Sequence, residues 1–403
     1  MKRILVAVIS TVFVLTYALG VSFAASPSTS SVLESATTNV LSQQATSEHL
    51  IVKTESVTPL AVSTVGNNIT ATYTVNWTHV LNFASPDDVP IMKGLAQGLK
   101  GLQLGMTGRG QAVRDYVAQW RSDLQSYITT PMASSEILKA TATLGPDGAV
   151  VPGSTQVFGL ADENGDWVSS QSFLSSIPSP STEQANGRDA VLKFAETAPE
   201  VPTATSSFTN TSVKGVSPDG SVPYDAYSGS EAVWYAEQYT SNNDSGACSA
   251  PTTEYTPAWN LGQYPSYAPC NDCADFVSQA MHYGGIPETS SWQPIISPVT
   301  SDPTGDWYYV PSLQAYFTNS SNPDGYWSST TEWGVVAGDV VEESNQGHVE
   351  LVDANTGSAL YFDSHTSDRK QFEYWTNNVA QDPWIGADGI TTLSWHVTYY
   401  VTN

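Results

Sequence analysis

Between Ile69 and Phe83 apolar and polar side chains alternate: Ile69, Ala71, Tyr73, Val75, Trp77, His79, Leu81 and Phe83 fall on one face and mostly Thr or Asn on the other. A period of two predicts a half-buried strand. Val113, Tyr116, Val117, Trp120, Leu124, Tyr127 and Ile128 recur at three- and four-residue spacing and predict an amphipathic helix over residues 109–129. Strand-like runs over residues 137–144 and 166–170 complete a small α+β domain, placed at residues 61–175. His79 lies on the apolar face of its strand and reads as a packed, structural histidine. Residues 26–60, rich in Ser, Thr and Val without periodicity, read as a flexible spacer. Residues 176–223, studded with Pro, Ser, Thr and Gly around a helix-compatible run at 189–196, read as a linker.

Beyond the linker, residues 224–403 form the second expected domain. Asp272 is a favoured N-cap, Phe276, Val277, Ala280 and Met281 make one apolar helical face, and Gly284-Gly285 with Pro287 stops the helix. Cys273 thereby falls in the first turn of a short buried helix. Two short strands, one at residues 338–341 and one begun by His348, are joined by a polar turn. A third strand over residues 358–365 puts Tyr361, Asp363 and His365 on one face and Leu360 and Phe362 on the other.

Composition sharpens this division. Residues 224–403 hold 9 of the 12 Trp and 16 of the 20 Tyr, and 22 acids against Arg369 and Lys370 as the only bases. The whole chain of 403 residues carries a formal net charge of −25. Nucleic acid is therefore not an expected partner, since a polyanion is bound by a basic face that releases counterions. Such a field repels acidic substrates, and so many carboxylates with so few bases suit an acidic exterior. Residues 1–25 read as a signal peptide: Lys2 and Arg3, then an apolar run, then small residues before Pro, Ser and Thr with no basic stop-transfer cluster. The expectation is a secreted protein without a stable membrane anchor after cleavage.

Peptide dipoles and unpaired N–H groups converge at a helix N-terminus, which stabilises a thiolate and receives the oxyanion of a tetrahedral intermediate. Cys273 is thus the candidate nucleophile and its own N–H the candidate oxyanion donor. His348 is the candidate general base, with His365, or failing that Asp363, orienting its other ring nitrogen. Cys270 and Cys273 also form a Cys-x-x-Cys pair, compatible with zinc or redox chemistry. The histidines are distant in sequence and no second Cys pair exists, so no metal or cofactor is expected. The preferred pairing is a disulfide between Cys248 and Cys270, closing a loop of about 20 residues worth roughly 3 kcal/mol, which leaves Cys273 as the odd thiol.

Asp272-Cys273-x-x-Phe276-Val277-Ser278-Gln279 with Gly284-Gly285, then Gly338-Asp339 and His348, then His365-Thr366-x-Asp368-Arg369, resembles the putative amidase domain of secreted bacterial proteins. That domain is similar to the papain-like NlpC/P60 and CHAP cysteine peptidases. The segment from Tyr227 to Tyr239 resembles the family's first helix, and the likeness covers residues 224–375. It implies a papain-like α+β fold with a site carried by Cys273, His348 and His365. Two positions depart from the family's pattern: Ala274-Asp275 stands where Thr-Asn is usual, and Tyr227-Ser228-Gly229 where Tyr-Asn-Arg is frequent.

The expected function is extracellular hydrolysis of an amide bond through a thioester, in a peptide or cell-wall peptide. The alternatives are a non-catalytic binding or adhesion module on the same fold, and an acyl transferase, in which an amine replaces water.

Overall fold

The structure is a computed structural model that describes residues 27–105, 108–160, 167–198, 227–241, 260, 264, 272–294, 305–319, 326–343, 347–365, 368–374 and 392–398. The expected signal peptide, Cys248 and Cys270, and the second half of the expected linker lie outside the described residues. The first half of the chain runs α1 (Pro27–Ser47), β1 (Leu50–Val65), β2 (Asn68–Leu81), α2 (Pro90–Gly101), α3 (Arg109–Thr129), β3 (Met132–Thr143), β4 (Gln156–Leu160), β5 (Trp167–Ser169), α4 (Ser170–Ser176) and α5 (Pro180–Thr197). The second half runs α6 (Gly229–Gln238), α7 (Cys273–Tyr283), α8 (Gly305–Tyr308), α9 (Val310–Phe317), β6 (Tyr326–Thr330), β7 (Val340–Glu343), β8 (Val349–Asn355), β9 (Leu360–Ser364), β10 (Arg369–Phe372) and β11 (Thr392–Thr398). The fold is α+β, as the sequence predicts.

Residues 26–60, expected as a flexible spacer, instead supply α1 and most of β1. The stripe buried here is Thr29, Leu33, Thr37, Val40, Leu41, Gln44 and Glu48, a helical series whose hydroxyl, amide and carboxyl members hide its period. The Thr37 hydroxyl is satisfied locally, donating to the Leu33 carbonyl at 3.0 Å. Leu33, Val40 and Leu41 pack on Ile69, Tyr73, Val75 and Leu138, and each such burial contributes roughly 1.5–3 kcal/mol. β1 is an edge strand with mostly exposed side chains, so it carries no alternation to read.

β2 buries Ile69, Ala71, Tyr73, Val75, Trp77 and His79 as its alternation predicts, and α3 has the limits its periodicity sets. α5 occupies residues expected as linker. Its inward positions begin with Glu183 and Gly187 before reaching Ala190, Val191 and Phe194, so only its second half reads as helix from apolar spacing. α5 crosses α2 at backbone contact: a Cβ at Gly94 would lie 1.9 Å from the Gln184 carbonyl oxygen.

Among the described residues the strands form one 11-stranded sheet in the order β1-β2-β3-β10-β9-β8-β7-β11-β6, with β4 and β5 branching from β3. The second half of β3 pairs with β4, while near its start Ser135 pairs with Phe372 of β10 in parallel. The compositional boundary near residue 224 therefore does not break the sheet. Nor does it break the core. Val341, Val352 and Phe362 join Trp120 and Leu124 of α3 and Phe194 of α5 in one cluster. On the opposite face Val340, Val349 and Leu351 join Phe276 and Val277 of α7. The strands that carry the candidate histidines thus lie between two helical layers.

Candidate active site

The start of α6 and the turn before β7 are fitted to each other. Gly338 has φ +85°, and a Cβ there would lie 2.3 Å from Gly229 Cα. Tyr227 Oη donates to the Gly338 carbonyl at 2.6 Å, and Ser228 N–H to the Gly284 carbonyl at 2.7 Å, tying this turn to the end of α7. Gly229 is confined on its own account, since a Cβ there would meet the Ala337 oxygen at 2.1 Å. Glycine at this departure from the family's pattern therefore has a steric reason. Asp339 is structural: its carboxylate accepts Val336 N–H at 2.8 Å and Val397 N–H at 2.9 Å and faces His396 Nδ1 at 2.9 Å.

Cys273 is the first residue of α7, a free thiol, 7 % exposed. It packs in the cluster that contains Val349 and Leu351 of β8. Leu351 stands opposite Asp363 in an antiparallel pairing, so the start of β8, just after His348, adjoins the end of β9, just before His365. His365 in turn reaches the start of α7, with Nδ1 2.7 Å from Oδ2 of Asp272. The topology therefore brings Cys273 and His365 together on the α7 face at one end of the sheet, and sets His348 at the same end with its ring turned to Glu350, whose side chain is on the opposite face.

Their pairings differ from the expected ones. His365 does not orient His348: its Nδ1 faces Asp272, its Nε2 donates to the Tyr239 carbonyl at 2.6 Å, and its ring stacks on Phe276 with centroids 4.0 Å apart. The carboxyl on His348 is that of Glu350, with Oε1 3.2 Å from Nε2 and both side chains buried. Glu350 stands opposite Val341, on the sheet face packed by α3 and α5. Asp363 is also not the partner of His348 in this pairing; its Oδ1 accepts Gln371 N–H at 2.7 Å. Burial holds Asp363 protonated well above the usual carboxylate range. Glu350 escaped sequence reasoning although its position carried a signal, since residues two apart on a strand share a face. The bond between Asp272 and His365 had no such signal, because the two are far apart in the chain.

Two carboxyls flank the thiol in sequence, and burial acts on both. It pushes Asp272 up to about 8, and it raises Asp275 well above its ordinary range, helped by the neighbouring Asp272. Asp275 is held by Gln279 Nε2 at 2.9 Å and by the Trp307 indole N–H. Among the described residues no group of three or more His, Cys, Asp or Glu is arranged to hold a metal ion.

Residues 226–388 match the family described as "Putative amidase domain". The match spans about two-fifths of the chain and all the candidate site residues described above. It assigns this part of the protein, at the level of the class, to hydrolases of amide bonds. No curated protein and no solved structure matches the chain.

Proposed function

We propose that this chain is a secreted cysteine amidase acting on a peptide or cell-wall peptide, with Cys273 as nucleophile and His348 as general base. The Cys273 thiolate attacks the amide carbonyl, and the oxyanion is received by N–H groups at the start of α7. His348, as imidazolium, protonates the leaving amine, leaving a thioester. It then takes a proton from water, whose oxygen attacks the thioester and releases the carboxylic acid and the Cys273 thiolate, restoring the thiolate and imidazolium. Glu350 lies 3.2 Å from His348 Nε2 and orients the imidazole for proton exchange.

The observation that carries this reading is Cys273 at the first position of an 11-residue helix whose N-cap side chain makes no capping hydrogen bond. Residues 1–25 supply the export reading, and the family match supplies the amide bond. The test is amine release from a peptidoglycan digest and from model peptides by the full chain. Loss of release in Cys273→Ala and in His348→Ala, with unaltered melting, supports the assignment. Full activity in Cys273→Ala overturns it. The burial of Cys273 favours a second reading, a binding module that keeps the fold without turnover. Retention of the protein on peptidoglycan with no amine released would decide for that module.

A further inference from the structure

Asp272 occupies the N-cap of α7, where an Asp side chain ordinarily accepts the N–H groups of the first turn. Here it makes no such bond, and Oδ2 lies 2.7 Å from His365 Nδ1. His365 is itself immobilised, with Nε2 on the Tyr239 carbonyl at 2.6 Å and the ring on Phe276, one turn along from Cys273. Because Nε2 carries a hydrogen toward a carbonyl, a single proton is shared between Nδ1 and the carboxyl. Burial pushes Asp272 up to about 8 and His365 down, which places that proton on the carboxyl. The titratable groups facing the pair are Asp275 of the same helix, whose carboxyl also meets that of Asp272, and Asp368 beyond β9; burial outweighs both.

We infer that His365 is a positioning residue for Cys273: by taking the Asp272 carboxyl it keeps that group off the first turn of α7, whose N–H groups are left to the thiolate and the oxyanion. The inference rests on the reading of Cys273 as nucleophile. Without His365 the carboxyl turns to its ordinary capping position as an anion. It then fills the N–H groups and sets a negative charge beside the sulfur.

The test is the rate of iodoacetamide labelling of Cys273 in the full chain, read by mass spectrometry at about pH 6.5 and about pH 9.5. In His365→Leu, which fills the ring's place on Phe276, the rate at the lower pH falls about tenfold and the rate at the higher pH stays within about twofold. Adding Asp272→Asn to that variant restores the lower-pH rate to within about threefold of the unaltered protein, since an amide carries no charge. Asp272→Asn alone leaves the rate at the lower pH within about twofold. Equal slowing at both pH values, or no restoration by Asp272→Asn, overturns the inference. So does a clear acceleration at the lower pH in Asp272→Asn alone, which would mean that the carboxyl is already charged there. That last measurement decides the matter even if His365→Leu fails to fold. Failure of the unaltered protein to label at Cys273 is a separate result, and it removes the nucleophile reading itself.

Discussion

Phe372 of β10 stands opposite Ser135 of β3, and this parallel pairing joins the two halves of the sheet. The next residue, Glu373, donates its N–H to the Ser135 carbonyl at 3.1 Å, and its side chain meets two further glutamates. Gln44 Nε2 donates to Glu136 Oε1 at 3.0 Å and to Glu373 Oε2 at 3.2 Å, and Glu48 lies beside them, fully buried. Two carboxyls, one from β3 and one from the residue after β10, thus share one amide, with the Glu48 carboxyl packed against them. Burial, then the neighbouring carboxyls, hold Glu48 and Glu373 protonated well above the usual range.

The resulting pH dependence has a definite sign. A carboxyl raised in the folded state contributes fully below its unfolded value and loses that contribution as pH climbs through the folded value, because the native state then binds more protons than the unfolded chain. Besides Glu48 and Glu373, burial pushes Glu183, Glu342 and Asp123 up to about 7 and Asp272 to about 8. Burial acts oppositely on His79, lowered to about 4, whose contribution is complete above its unfolded value of 6.5 and is lost as pH falls toward about 4. The carboxyls outnumber it, at about 1.4 kcal/mol per pH unit for each group within its window. The thermal midpoint is therefore expected to be highest in the acid range and to fall from about pH 5 to pH 8, as followed by circular dichroism. Glu373→Gln should flatten that fall and raise the midpoint at neutral pH. A midpoint that rises across this range would contradict the assignment of protons at the seam.

Legibility in the sequence followed the chemistry of the buried face. β2 and α3 were readable because their inward residues are apolar, down to Trp77 and Trp120. α1 was not, because Thr37 and Gln44 lie in its buried stripe, and the start of α5 was not, because Glu183 and Gly187 face inward there. At the candidate site, residue types and the helix start at Cys273 were legible, whereas pairings were not. His365 and Asp363 were as plausible for His348 as Glu350 is, since a side-chain pairing is decided by strand register and by which face each residue takes. The two halves of the sheet meet through one short parallel contact, which leaves no periodic trace.

That joining predicts cooperative unfolding. The sheet face bearing Val341, Val352 and Phe362 is covered by Trp120, Leu124 and Phe194 from the first half. Trp120→Ala removes a fully buried indole and should cost about 3–5 kcal/mol. If the halves fold together, near-ultraviolet signals from the Trp-rich second half will melt at the same lowered midpoint as the far-ultraviolet signal. A second half that keeps its own unshifted transition would show independent folding.

Gly338 offers a local test of the fit between α6 and the turn before β7. Alanine there meets two penalties: a positive φ that side chains disfavour, and a Cβ 2.3 Å from Gly229 Cα. Gly338→Ala should destabilise by about 1–3 kcal/mol, read as a drop in denaturation midpoint. Since the same turn is bonded to Tyr227, and Ser228 to the end of α7, activity at a temperature well below the midpoint should fall too. Unchanged stability would mean that the turn relaxes without cost.

Glu350 is the residue whose replacement best tests how His348 is held. Its Oε1 is 3.2 Å from His348 Nε2, and both side chains are buried from water. A carboxylate on Nε2 fixes the tautomer with Nδ1 as the basic nitrogen and steadies the imidazolium formed during attack. Glu350→Leu removes both effects, so kcat should fall on the order of 10²-fold while KM changes little, since substrate does not touch this residue in the proposed mechanism. Glu350→Gln still presents an oxygen to Nε2–H and keeps the tautomer but not the charge. It should recover part of the loss and shift the alkaline limb of the pH–rate profile downward, because the imidazolium loses its counter-charge. A residue that merely filled the space between β8 and the helices on that face would behave differently: both variants would lower the melting midpoint, and neither would move the pH profile. If Glu350→Leu retains full kcat, the pairing with His348 has no part in turnover.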